Sequence, residues 1–155
     1  MTPGSLAAAA RITVGALLVC SGIAKLVSRR GSEAQLARMG VPAALGPAAS
    51  IAVPVFEVVV GVLLLAVPGR WPVWLAVAAF GVFTGVVAAE LQRGEREPCR
   101  CFGALSNRPT STLTLVRNAW LLALAVVATG ASGVSGAGWL TALLAAISAL
   151  LVVTT

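Results

Sequence analysis

The sequence contains no histidine and no tyrosine, and only 10% of its 155 residues are charged. Without histidine there is no haem-b ligation, no imidazole metal site and no imidazole general base. Any chemistry falls to cysteine, a few carboxylates, lysine, arginine or a bound cofactor. The shortage of charge is equally restrictive. Soluble domains carry about 25% charged residues, and a chain that is 59% hydrophobic with mean hydropathy +0.98 cannot cover a water-facing surface. The length allows one domain, and in a bilayer every backbone polar group must be paired internally. Helices meet that demand within each segment, and the period-two alternation of a barrel strand occurs nowhere. The expected fold is all-α, a polytopic membrane helical bundle.

What charge there is leans basic, with eleven Lys and Arg against five acidic residues and a net charge of +6. These residues sit singly in loops and at segment ends, with no aromatic residues interleaved. They read as topology signals rather than a nucleic-acid surface. The partner they imply is the lipid bilayer, with no nucleic acid. Near the amino terminus, Arg11 precedes an apolar run ending at Cys20, a faint imitation of a lipoprotein cleavage site. Val19 stands where a small residue belongs and apolar sequence resumes after the cysteine, so a retained first helix is expected.

Five transmembrane spans are expected, at about residues 6–28, 44–67, 71–91, 113–129 and 139–153, each near the ~20 residues a bilayer requires. The last two are short, and a four-span reading stays open. Between the first two spans, Ser32 and Gln35 form a capping box for a short polar helix over 33–39, ended by Gly40 and Pro42. It is too short to cross and is expected in the interface. Pro47 and Pro54 interrupt the second span, and Pro68, Gly69 and Arg70 make a tight turn before the third. Residues 92–112 form the longest polar stretch. Trp71, Trp74 and Trp139 are placed as interfacial anchors, whereas Trp120 is placed to line a cavity. Gly, Ala and Ser recur through all the spans, which favours close helix packing.

Arg29, Arg30 and Arg38 follow the first span, and Arg93, Arg96, Arg100 and Arg108 follow the third, on the same side. The opposite side offers Arg70. The positive-inside rule then gives a multi-pass protein of the plasma membrane with residues 92–112 in the cytoplasm.

The strongest local motif is Pro98-Cys99-Arg100-Cys101-Phe102-Gly103. The Cα atoms of residues i and i+2 can come within the ~4.4–6.8 Å window of a disulfide. The small ring would be strained and easily reduced, which suits exchange rather than stapling. Neighbouring arginines favour the reactive thiolate, and Gly103 relieves the backbone. Cys99 and Cys101 are therefore the candidate catalytic pair. Two alternatives stand beside this: unrelated loop cysteines, or a Cu(I) or Hg(II) site using Cys99, Cys101 and Cys20. Cys20 itself is either a small apolar helix residue or a resolving thiol.

Charges inside a bilayer are costly and tend to be paired or functional. At 1.5 Å per residue, Arg11 and Glu57 both fall about 20 Å from the cysteine side, and an Arg11–Glu57 pair is expected. Lys25, Glu90, Arg117 and Asn118 fall within about two turns of the cysteine-bearing face. Lys25 or Arg117 could lower a thiol pKa or hold an anion, and snorkelling would explain Lys25 and Glu90 equally well.

Taken together, Arg11, the run Ser21-Gly22-Ile23-Ala24-Lys25-Leu26, Gly40-Val41-Pro42, Pro54 with Glu57, Cys99-x-Cys101-Phe102-Gly103 and Arg117-Asn118 resemble the MauE family. These are small membrane proteins related to the DoxX group, and the resemblance runs from about Arg11 to Trp120. It implies thiol-disulfide redox work connected with methylamine utilisation, serving disulfide formation in a periplasmic dehydrogenase subunit beside a thioredoxin-like partner. By the same resemblance the redox thiols are Cys99 and Cys101, and the charged helix positions are Arg11, Lys25, Glu57 and Arg117. Cys20 matches no motif of the family. A quinone as second electron acceptor is implied for the wider group, with no motif here to identify it. A periplasmic task would put the cysteine loop outside, against the arginine count. The expected function is a membrane thiol-disulfide oxidoreductase or electron conduit exchanging disulfides with a thioredoxin-fold partner, with a soft-metal carrier or a non-catalytic assembly scaffold as alternatives.

Overall fold

Four long helices carry the chain: α1 (Pro3–Val27), α2 (Gly46–Ala66), α3 (Trp71–Gln92) and α4 (Thr112–Ala128). The computed structural model describes residues 3–27, 33, 36–37, 41–93, 112–130, 141 and 143–149. Residues 143–149 form a further helical segment, and there is no strand among the described residues. At 1.5 Å per residue α1, α2 and α3 are about 30 Å or longer, the thickness of a bilayer core. All three are apolar enough to cross, and α4 is a shorter apolar helix. The protein is a multi-pass helical membrane bundle.

Local sequence explains the helix ends. Pro47 and Pro72 stand in the first turns of α2 and α3, where the missing N–H would have no partner anyway. The connection between those helices is only four residues long, and Gly69 adopts φ 108° there, a left-handed conformation that side chains resist. Pro54 lies inside α2 and leaves the Ser50 carbonyl without its helical donor.

The helices form a ring in the order α2, α1, α4, α3. The α1–α2 seam is extensive, α3 and α1 both pack on α4, and α2 touches α3 only sparsely. The fully buried centre is apolar, with Val14, Leu18, Leu64, Phe80 and Leu121. The outer surface of α2 (Ile51, Val55, Phe56, Val59, Val62) is apolar too, as lipid contact requires.

Small residues set the α1–α2 seam. A Cβ on Gly61 would come within 2.7 Å of the Gly15 carbonyl oxygen, and one on Gly22 within 2.6 Å of the Pro54 carbonyl oxygen. The two backbones therefore touch, as at small-residue interfaces in membranes. Gly15 opposes Gly61 and Leu65, whereas Gly22 opposes Pro54 and Val58, so the helices run antiparallel in a fixed register.

Two smaller contacts attach the periphery. Ser50 Oγ donates to Glu33 Oε1 at 3.3 Å, holding the segment that precedes α2, where Glu33, Leu36 and Ala37 are helical. Trp120 Nε1 donates to Ser148 Oγ at 3.4 Å, which docks residues 143–149 on α4. Trp120 thus serves a helix contact. Trp71 and Trp74 are exposed at the start of α3, and Trp139 lies outside the described residues.

Candidate functional site

A cluster of polar side chains is buried where the C-terminal halves of α1 and α3 meet the middle of α2 and the N-terminal half of α4. Ser21 and Lys25 are one helical turn apart, so they share a face of α1. Both turn inward to Glu57 of α2. The Lys25 Nζ forms an ion pair with Glu57 Oε1, and Ser21 Oγ donates to Glu57 Oε2 at 3.1 Å. Glu57 is 0% exposed and Lys25 6%, so the bundle interior, not the lipid, holds the pair. Lys25 also lies 4.7 Å from the centroid of the Phe83 ring on α3, a cation–π contact strengthened by burial. Phe83 is itself braced edge-on by Phe80 at 6.2 Å.

The fourth wall is α4. Arg117 and Asn118 are fully buried, and Arg117 Nε donates to Asn118 Oδ1 at 3.4 Å. The Asn118 Nδ2 group is buried with no hydrogen-bond partner among the described residues. A buried amide of this kind has two N–H groups to offer an acceptor. The cluster therefore unites two cations, a carboxylate, a hydroxyl and a carboxamide drawn from three helices. It can bind an electron-rich group, stabilise a developing anion, or exchange protons through Glu57 and Lys25.

The expected Arg11–Glu57 pair is not what the structure contains. Arg11 instead spreads its guanidinium over the end of α2: Nε donates to Leu64 O at 2.8 Å, Nη1 to Gly69 O at 2.6 Å, and Nη2 to Val67 O. The last carbonyls of a helix lack intrahelical partners and carry its negative dipole end, and a planar fork of donors suits them. The α1–α2 register is the physical reason for the difference. Glu57 lies opposite Ser21, while Leu64 to Gly69 lie opposite Arg11. Arg11 is thus a clamp at the far end of the bundle, away from the cluster.

Of the other expected site residues, Cys20 is exposed on the stripe of α1 that includes Ala16, Ile23 and Val27. Its neighbours Ser21 and Lys25 point the other way, so Cys20 faces lipid. Glu90 is half-buried near the end of α3. Cys99 and Cys101 lie outside the described residues, as does the whole of 94–111. Among the described residues no group of three or more His, Cys, Asp or Glu could hold a metal ion. Sequence reasoning assigned no role to Ser21 or Phe83. The i, i+4 spacing of Ser21 and Lys25 was a readable signal for the first, since a membrane helix rarely presents two polar groups on one face without a polar partner. Nothing local marks Phe83.

No curated protein and no solved structure matches the chain. The family model of methylamine utilisation protein MauE matches residues 3–131, most of the chain and every helix that builds the cluster, and the chain belongs to the MauE family.

Proposed function

We propose that this MauE-family chain is a membrane thiol-disulfide oxidoreductase in which Cys99 and Cys101 cycle between dithiol and disulfide. The observation that carries the reading is the buried Lys25–Glu57 and Arg117–Asn118 cluster in the half of the bundle where α3 stops and α4 starts. The segment bearing the two cysteines joins those helix ends. Cys99 stands six positions after Arg93, which limits their separation to about 20 Å of extended chain. Lys25 is two residues from the end of α1 and Arg117 five from the start of α4, or about 3 and 8 Å of helix. Cations near a thiol favour the thiolate, which is the attacking species.

The exchange itself needs no further cofactor. A thiolate of the pair attacks the disulfide of a thioredoxin-fold partner and forms a mixed disulfide, expelling one partner thiolate. The second cysteine then attacks the mixed disulfide, leaving a Cys99–Cys101 disulfide and a reduced partner. The reverse sequence oxidises the partner, and the relative reduction potentials set the direction. The arginine distribution supports a cytoplasmic position for this segment.

Thiol trapping in intact cells tests the proposal. Acid quenching followed by alkylation is expected to reveal both an oxidised pair and a mixed disulfide with a Cys-x-x-Cys partner. Growth on methylamine that survives Cys99→Ser with Cys101→Ser undiminished would leave the chain a scaffold. Labelling with an impermeant maleimide reports which side bears the thiols.

A further inference from the structure

A four-residue connection ties α2 to α3, and the two helices touch only sparsely along their length. Held together at that turn, they are free to part toward the other end, where α2 starts and α3 stops. Between them lies a groove of about 380 Å³, with Ala52, Val53 and Phe56 of α2 and Ala78, Val82 and Phe83 of α3 in its lining. Every lining side chain is apolar. Phe56 and Val82 are exposed, so the groove opens sideways into the lipid. It suits a hydrocarbon chain, and any polar part of the occupant must lie outside it.

Arg93 caps the end of α3 and is exposed, with no carboxylate paired to it among the described residues. It stands eleven positions after Val82, close to three full turns, so the two share a face of α3. The rise between them is about 16 Å. One leaflet of a ~30 Å hydrocarbon core is about 15 Å deep, so Arg93 stands at headgroup level where Val82 meets the ends of the acyl chains. Gly85 and Ala89 lie between them on that face. The space beside Gly85 is open, which leaves a track from the helix end down to the groove.

From these observations we infer that the groove holds an acyl chain of an anionic phospholipid whose phosphate is bound by Arg93. The chain runs down α3 from Arg93 past Val82 and ends between Ala52 and Ala78. Nothing polar enters the groove, and the charged head stays at the interface, where it keeps its water. A guanidinium fork matches a phosphate, and one basic residue at a membrane surface favours a net-negative head by about fivefold in affinity. Phe83 then separates the lipid chain from the Lys25 ammonium on the other face of its ring. The lipid backs the ring that covers the buried ion pair. This site stands apart from the thiol reading and holds whether or not Cys99 and Cys101 cycle.

Lipid titration of the purified full-length protein in dodecyl maltoside tests the site. Dioleoylphosphatidylglycerol is expected to raise the melting temperature saturably, and dioleoylphosphatidylcholine to bind about fivefold more weakly. Arg93→Gln should bring phosphatidylglycerol down to that weaker level. Arg70→Gln removes an exposed arginine at the opposite end of α3 and should change nothing. Ala78→Phe and Ala52→Phe fill the groove from its two walls, and each should weaken both lipids at least about tenfold in apparent Kd. Using both walls guards against a folding defect in either variant. Glycerol phosphate has the head without chains and decanol a chain without the phosphate, and neither is expected to give a saturable shift. No saturable lipid binding, equal affinity for the two phospholipids, or unchanged binding in both Phe variants would overturn the site. So would a loss in Arg70→Gln equal to that in Arg93→Gln. A detergent-stable dimer that Ala78→Phe splits, with no lipid bound, would also overturn it and give the groove to a second copy.

Discussion

The first helix sends two cations into the bundle, and they meet opposite kinds of partner. Arg11 is satisfied by backbone carbonyls at the end of α2. Lys25, fourteen residues later, meets an aromatic face and a carboxylate that also accepts from Ser21. The carbonyls that hold Arg11 are fixed dipoles that cannot change charge, so that end of the bundle is built to stay as it is. Glu57 and Lys25 can each gain or lose a proton, and beside them Asn118 has donors with no described acceptor. One end of the seam is a fastening and the other is equipped for chemistry.

Several measurements would break or sharpen this contrast. The largest effect is expected from Glu57→Leu, which leaves Lys25 buried without its counter-charge at a cost of about 3–5 kcal/mol. The double variant Lys25→Met with Glu57→Leu should recover most of that loss in a detergent melt, because an apolar replacement of a buried pair is often neutral. It should nevertheless fail in thiol exchange. A double variant that exchanges normally would reduce the pair to a structural role.

Next comes Gly22→Val, whose Cβ would collide with the Pro54 carbonyl. Overpacking of this kind costs about 1–3 kcal/mol. Because the same seam brings Ser21 and Lys25 to Glu57, exchange should fall along with stability. Arg11→Lys is expected to cost about 2 kcal/mol, since a point charge cannot span three carbonyls and bonds to charged groups contribute about 1.5–3 kcal/mol. Exchange per folded molecule should not change. A large fall in exchange without loss of stability would contradict the clamp reading.

The smallest effect belongs to Cys20→Ser. The thiol faces lipid, so a change in melting stability within about 0.5 kcal/mol is expected, with unaltered trapping of mixed disulfides. A lost trapping signal would restore Cys20 as a resolving thiol.

Part of the site was legible before folding. Lys25, Glu57, Arg117 and Asn118 stand out in an apolar chain because burying such groups is expensive and must be repaid by partners. Which of them meet was not legible. Depth counting assumed that the two helices end flush at a membrane face, and it put Glu57 level with Arg11. The real register follows from Gly15, Gly22 and Gly61, where backbone meets backbone. A lysine side chain also leans toward the amino end of its helix, which brings Lys25 to the level of Ser21. Phe83 was invisible for a different reason: its role depends on α3 leaving α2 open on one side and facing α1 on the other.

Composition alone made this a helical membrane bundle, because a chain so poor in charge must keep its backbone hydrogen bonds inside helices and its side chains in lipid. The identity of its buried charges was equally fixed by the sequence. Their partnerships were decided only by packing, since glycines at which any side chain would collide with the facing backbone set the register of α1 on α2. That register assigns Arg11 to a helix end and Lys25 to Glu57.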